Sequence, residues 1–252
     1  MEADIKVYDS VSSTNTVLSE LAAKGAGEGT CVIASSQSAG QGRSGRTFYS
    51  PSGGNLYMSL LLRPYDIECS MITVTAAVAV VKAIKNVLGL DAGIKWVNDI
   101  IFKGRKVCGI IATAHSLGSE DMHVILGIGM NIFDAADVPE DIRESYGSLM
   151  GKKCDISPKE QKKLSLRLAK EIIREFAVRY ENPVGLSVVD EYRRFCTVIG
   201  KKVIYFSGVT EKEGYVLGID DDGGIIIETD GETESYRDGE IRIKPEQAIL
   251  HK

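Results

Sequence analysis

A chain of 252 residues with 44% hydrophobic content can bury a sizeable core, as one large domain or as a large one with a small companion. Cys31, Cys69, Cys108, Cys154 and Cys196 are never spaced as CxxC, and His115, His123 and His251 share no metal-ligand spacing, so a disulfide framework, a structural zinc and a His-centred mechanism are not expected. The net charge of −5 argues against a nucleic-acid surface, and the start MEADIKVYDS has no basic segment leading into an apolar one; neither secretion nor membrane insertion is expected, and reduced thiols fit a cytoplasmic location.

Ser13 or Thr14 is placed to cap a helix whose apolar face is Val17, Leu18, Leu21 and Ala22, with Gly25 as its stop. CVIAS (Cys31–Ser35) and LYMSLLL (Leu56–Leu62) read as strands separated by about twenty residues rich in Gly and Ser, and a loop that long inside a domain is more often functional than idle. Met71–Leu88 has helical periodicity, is interrupted by charge only at Lys82 and Lys85, and ends at Gly89. IKW, DIIF and KVCGIIATA are short apolar runs around the turn Lys103-Gly104-Arg105, a β-hairpin pattern, and His123–Ile132 is another buried strand. Pro158 opens a long amphipathic helix to Tyr180 with Leu164, Leu168, Ile172 and Phe176 inward. Helices and strands mix without strict βαβ alternation, which predicts an α+β fold, a mixed β-sheet with helices packed on it. From about Thr197 the pattern changes: KKVIYF, EGYVLGI, GIIIET, TESYR and EIRIK are separated by Ser207-Gly208, Asp221–Gly224 and Asp230-Gly231. This predicts a small C-terminal β-barrel of the SH3 type and divides the chain into 1–196 and 197–252.

Charge is unevenly placed. Residues 197–252 hold seven Lys/Arg against twelve Asp/Glu, which accounts for the whole net charge of −5. No acidic residue lies between Glu28 and Asp66, whereas Arg43, Arg46 and Arg63 do. The loop Gln37–Phe48 sets Arg43 and Arg46 among Gly40, Gly42 and Gly45. Glycine lets main-chain N–H groups approach an anion, and arginine offers a permanently charged fork, so the loop is a candidate anion-binding segment as well as a plain basic surface loop. Cys108 has no basic partner beside it and reads as a buried small hydrophobe.

GQGRSGRTF followed by SPSGGNLYMSL resembles the signature of the biotin protein ligases, a GRGRxGR segment, an aromatic residue and an SPxGxNLYxS strand. SSTN (Ser12–Asn15), KWVND (Lys95–Asp99, similar to KWPND), KVCGI (Lys106–Ile110) and GIGMN (Gly127–Asn131) match further family segments in order, and the resemblance covers almost the whole chain. Gln41 stands where an arginine is usual, Phe48 where a tryptophan is usual and Val97 where a proline is usual. The second departure keeps an aromatic face able to cover a purine.

The resemblance implies a class II synthetase-like catalytic domain and ATP-dependent biotin–protein ligation. Biotin would be activated to biotinyl-5′-AMP, with Mg²⁺ on the phosphates, and passed to a lysine of a biotin carboxyl carrier domain. It places Ser13, Thr14, Asn15 and Gln37 around the biotin head, with Gly40, Gln41, Gly109 and Ile111 completing that pocket and Lys106 reaching into it. Arg43, Arg46, Phe48, Asn98, Lys106 and Asn131 are implied at the ATP and the adenylate, and Lys106, Arg43, Lys95 and Asp99 form the expected catalytic group, with Asp99 orienting Lys106 or the loop. The loop is expected to be mobile until ligand supplies negative charge, and Gln41 to contribute through backbone position. A lipoate or octanoate ligase is the nearest alternative, but its RRxxGGG signature is absent. A non-catalytic biotin sensor or repressor would use an N-terminal DNA-binding domain, which is not expected because the chain begins directly at the SSTN region. The resemblance leaves a homodimer open.

Overall fold

Leu56–Leu62 is apolar almost throughout, the pattern of a strand covered on both faces. In the computed structural model it lies at the centre of a large sheet as β3. The structure describes residues 1–64, 68–116, 122–152, 156–182, 187–207 and 210–243. Gly208 of one expected turn, Lys244 at the end of the last expected strand, Cys154 and His251 lie outside the described residues.

The other strands of this sheet are β1 (Asp4–Tyr8), β2 (Thr30–Ala34), β4 (Gly93–Lys95), β5 (Asp99–Phe102), β6 (Arg105–Ser116) and β7 (Met122–Met130). Among the described residues they run in the order β1-β2-β3-β7-β6-β5-β4. β1 and β2 are parallel and every other neighbour is antiparallel, so the sheet is mixed, as expected. The β5–β6 hairpin turns through Lys103 (φ 49°) and Gly104 (φ 76°), the double left-handed conformation that matches strand twist in two-residue hairpins.

α1 (Thr14–Ala23) covers one face, with Leu18 and Ala22 against Val32, Leu61 and Ile125. The opposite face carries α2 (Cys69–Leu88), α3 (Pro158–Tyr180) and α4 (Val188–Phe195), and the large core between them includes Leu56, Met58, Leu60, Leu62, Ile110 and Ile128. α2 is long and apolar enough by composition to cross a membrane, yet most of it is buried inside this core. Lys82 and Lys85 reach out of it to Glu191 and Asp91. α3 begins with a complete capping box, Ser157 accepting from the Glu160 amide and Glu160 accepting from the Ser157 amide.

The last strands, β8 (Lys202–Ser207), β9 (Thr210–Ile219), β10 (Ile225–Thr229), β11 (Glu232–Tyr236) and β12 (Ile241–Ile243), form a second, antiparallel sheet in the order β11-β10-β9-β8-β12. Val203, Tyr205, Val216, Ile219, Ile225, Ile227 and Ile241 belong to the same apolar cluster as the main sheet. The turn before β10 docks on that body: Trp96 Nε1 donates to the Gly223 carbonyl at 3.0 Å, and Arg193 donates to the Ile219 carbonyl at 2.8 Å and pairs with Asp221. This docking carries the rim of the second sheet to the functional cleft.

Candidate active site

One face of the main sheet is left open beyond the N-terminus of α1, where small residues remove the side chains that would fill it. Gly109 and Gly129 are direct cross-strand partners on β6 and β7, and Gly127 faces Ile111. A Cβ at Gly127 would lie 2.6 Å from Asn15 Oδ1, and one at Gly129 would lie 2.3 Å from the Phe48 ring. The GIGMN glycines thus clear space against the strand backbone. Part of that room is taken by the chain itself, because the Phe48 ring settles on the Gly109–Gly129 shelf, edge-on to Tyr57 at 6.5 Å.

At one end of the cleft lies a polar cluster. Ser13 sits at the N-cap of α1, buried, but its side chain makes no cap hydrogen bond, so its hydroxyl is not consumed by the helix. Gln37 Oε1 accepts from the Thr14 amide (2.8 Å) and the Thr14 hydroxyl (3.0 Å), and Gln37 Nε2 donates to Ser50 at 2.9 Å. The Ser59 hydroxyl, fully buried on β3, lies 2.7 Å from Thr14 Oγ1 and 2.6 Å from Asn15 Oδ1. Ser59 was not singled out in the sequence, where it reads as the one polar interruption of an apolar strand. Gly40 does not line the cleft: it is buried behind the loop, where a Cβ would come within 2.5 Å of the Phe48 carbonyl and the Ser50 hydroxyl. The Gln41 side chain lines the cleft and reaches toward Thr16 at 3.4 Å, while its backbone bridges Thr47, in keeping with a positional role.

The other end is cationic. Lys95 and Asp99 are register partners on β4 and β5, and Asp99 is the partner of Gly109 on β6. A bulge shifts the β5–β6 register, so that Lys106 pairs with Ile101 and shares the cleft face with Gly109, from which strict alternation would separate it. Its ammonium meets Asp99 Oδ1 at 2.6 Å, while the neighbouring Arg105 is exposed. Lys95 is held below the usual lysine range by burial, against the opposing pull of Asp99. Asn98 is committed at both ends of its amide, donating to the Ile110 carbonyl at 2.7 Å and accepting from Arg43 Nη1 at 3.2 Å. It thus ties the arginine loop to β6.

Arg43 and Arg46 face negative charge supplied by the chain itself. Arg43 starts a short 3-10 turn, Arg43–Gly45, and pairs with Asp238, while Arg46 pairs with Glu240; both carboxylates lie on the rim leading into β12. The Arg46 contact holds Glu240 below the usual carboxylate range. No sequence signal marked Asp238 or Glu240, because the contact spans nearly two hundred positions. Asn131, with 5% of its surface exposed, has an Oδ1 without a partner among the described residues, whereas its backbone is bonded to Val107 and Leu149. An unpaired buried acceptor lining a cleft suits a donor on a ligand. Tyr49 and Tyr146, edge to face at 6.2 Å, close the wall near Lys106 and were also not foreseen.

These residues line one continuous cavity of about 1290 Å³, with the Ser13, Thr14, Asn15 and Gln37 cluster and the Lys95, Arg43, Arg46 and Lys106 group in its walls. Among the described residues no three His, Cys, Asp or Glu side chains converge as a metal cage. Cys108 is fully buried and burial pushes its thiol up, so it is a core residue, as expected.

Residues 7–131 match the model of the biotin/lipoate A/B protein ligase family. The chain is 34% identical over 229 residues to the bifunctional ligase/repressor BirA of Bacillus subtilis, covering 88% of this chain and 68% of that protein. It is 27% identical to the biotin--[acetyl-CoA-carboxylase] ligase of Mycobacterium tuberculosis, over 94% of this chain and 88% of that one. Its fold superposes on the biotin protein ligase from Aquifex aeolicus in complex with biotin and ATP with a TM-score of 0.75 and 26% identity, over 96% and 98% of the two chains. The motif order, the glycine shelf and these similarities agree: the chain belongs to the biotin/lipoate A/B protein ligase family.

Proposed function

We infer that the protein is an ATP-dependent biotin protein ligase, which forms biotinyl-5′-AMP and transfers biotin to a lysine of a biotin carboxyl carrier domain. The observation that carries this reading is the single cavity with a neutral hydrogen-bonding end and a cationic end. About 1290 Å³ exceeds the roughly 300–1,000 Å³ usual for one small ligand and leaves room for two. A ureido ring needs partners for two N–H donors and one carbonyl, and the hydroxyls and amides of Ser13, Thr14, Asn15 and Gln37 supply both kinds.

In the first step a biotin carboxylate oxygen forms a bond to the α-phosphorus as the bond to the pyrophosphate oxygen breaks. Two anions must be held together and the leaving charge stabilised, which is work for fixed cations in a partly dry site. Lys106, aimed into the cleft by the bulge and held by Asp99, is assigned to the carboxylate and the bridging phosphate; Lys95, Arg43 and Arg46 are assigned to the remaining charge. A Mg²⁺ bound to the phosphates would lower their net charge. Asn131 is assigned to the base through its unpaired Oδ1, and Phe48 to the cover of the adenylate. In the second step an acceptor amine attacks the acyl carbon, AMP leaves, and the amine gives up a proton. The acceptor follows from relatives named biotin--[acetyl-CoA-carboxylase] ligase in Mycobacterium tuberculosis and Paracoccus denitrificans. We also place the functional division at 196/197, with residues 197–252 as an accessory unit whose rim completes the cleft.

Incubation with ATP, Mg²⁺ and either biotin or lipoate, followed by mass spectrometry of the retained small molecule, tests the reading. Biotinyl-AMP is the expected product; lipoyl-AMP would transfer the assignment to the lipoate branch of the family, and no adenylate would leave a binding protein.

A further inference from the structure

The transfer step brings an ammonium to a site built for anions. Among the described residues the cavity is lined by seven Lys and Arg side chains and five carboxylates, an excess of positive charge that repels an acceptor lysine unless a carboxylate meets it. Four of the five carboxylates are taken. Asp99 pairs with Lys106 at 2.6 Å, Asp91 with Lys85 at 2.8 Å, Asp238 with Arg43 and Glu240 with Arg46. The two rim pairs stand with the anion end of the cavity empty, as it is once pyrophosphate has left. The fifth carboxylate, Glu144, is exposed in the cavity wall and makes no ion pair or hydrogen bond among the described residues.

Backbone contacts fix where Glu144 stands. It lies in a tight turn in which the Ser145 and Tyr146 N–H groups both donate to the Ile142 carbonyl, at 3.1 and 2.8 Å. The residues that follow clamp this turn onto Lys106 from both sides: the Lys106 N–H donates to the Ser145 carbonyl at 2.8 Å, and the Gly147 N–H to the Lys106 carbonyl at 2.8 Å. Glycine permits the close approach, because a Cβ at Gly147 would lie 2.6 Å from that of Arg105. Glu144 is therefore one residue from the clamp on the lysine assigned to the biotin carboxylate, the group that becomes the reactive acyl carbon.

We propose that Glu144 is the docking carboxylate for the acceptor lysine, pairing with its ammonium at the cavity wall and delivering it to the acyl carbon. This rests on the reading of the cavity as the site of biotinyl-AMP. The partly buried Lys95 and Lys106 act next, because fixed cations favour the neutral form of a neighbouring amine. The ammonium gives one proton to water, and the lone pair of the neutral amine forms the bond to the acyl carbon. The bond from that carbon to the phosphate oxygen breaks, its electron pair leaves on AMP, and the nitrogen releases a second proton to water as it becomes the amide. Glu144 is unchanged through the cycle, so its contribution is attraction and placement.

The test is single-turnover transfer from enzyme-bound biotinyl-AMP, formed with ATP, Mg²⁺ and biotin, to a biotin carboxyl carrier domain. Release of the same acyl group to hydroxylamine, a small nucleophile that is uncharged near neutral pH, is measured beside it. In Glu144→Gln, which keeps the shape and removes the charge, kcat/KM for the carrier domain falls about 10- to 100-fold while the hydroxylamine rate stays within about threefold. Glu144→Asp retains most of the transfer, and the gap between Glu144→Gln and the parent narrows as salt is raised. A fall of less than about tenfold toward the carrier domain overturns the proposal. So does a parallel fall toward hydroxylamine, which is the mark of general damage to the adenylate site. Failure of the unaltered protein to form biotinyl-AMP would instead remove the reading on which the proposal rests, and the proposal with it.

Discussion

Neutralising the two acidic residues on the rim before β12 is expected to tighten ATP binding. Arg43 pairs with Asp238 and Arg46 with Glu240, so a triphosphate that recruits either arginine must first displace a carboxylate. The side chains are partly exposed, 31% and 83% for the first pair and 66% and 43% for the second, so solvent screens both. Exposed pairs are worth about 0.2–1 kcal/mol each, which for two independent pairs is about 0.4–2 kcal/mol, a factor of about 2 to 30 in affinity. Asp238→Asn with Glu240→Gln should therefore lower the KM for ATP in biotin-dependent pyrophosphate exchange by a factor in that range. The KM for biotin should change little, because among the described residues the Gln37 side chain bonds to Thr14 and Ser50 and not to the rim. The gap between variant and parent should narrow as salt is raised, since the exchanged contacts are screened. A KM for ATP that is unchanged or higher in the double variant would refute the exchange and make the rim carboxylates scaffolding for the loop.

Lys106→Ala should abolish pyrophosphate exchange, a loss of at least about 10²–10³, and Asp99→Asn in the same chain should partly restore affinity for the ATP analogue, because the single change leaves a half-buried carboxylate facing incoming phosphate; equal affinities in the single and double variants would remove Asp99 as the partner that matters. Burial lowers the pKa of Lys95, so affinity for the analogue should decline on the alkaline side at a pH below that of an ordinary lysine, about 10.4, and Lys95→Arg should flatten the decline; superimposable pH profiles would take Lys95 out of the anion field. His115 is depressed by burial and then by His123, its cross-strand partner, whose ring is stacked 5.5 Å away. A depressed histidine contributes stability above its unfolded value of about 6.5 and loses it as pH falls through the folded one. The melting temperature of the parent should accordingly drop more steeply than that of His115→Gln between pH 7 and pH 5, and parallel curves would contradict the assignment.

What the sequence made legible was whatever local chemistry determines. The Lys103-Gly104 turn, the Ser157 capping box and the αL stop at Gly89 are short-range features, and strands β3, β5 and β6 follow from runs bounded by such signals. β1 and α4 gave no comparable signal. β1 is an edge strand of five residues with mixed polarity, held mainly by parallel pairing to β2, and α4 is eight residues long with charge at half its positions. Each takes its conformation from what it packs against, and a local pattern does not record that.

The same division holds within the site. Lys106, Asp99, Lys95 and the Thr14–Gln37 pair lie in segments that match family motifs, so resemblance found them together before any geometry did. Asp238 and Glu240 lie in a stretch whose acidity read only as net charge. Their placement depends on Trp96 and Arg193 gripping the Asp220–Gly224 turn, contacts that act at a distance from the rim they position. Counting charge along the loop finds an excess of positive charge, whereas the fold brings compensating carboxylates from the far end of the chain. On the proposed assignment of Arg43 and Arg46 to the phosphates, such a site would discriminate as well as attract: a ligand with a single weak negative charge would gain little by displacing Asp238 or Glu240, whereas a triphosphate carries enough charge to replace both.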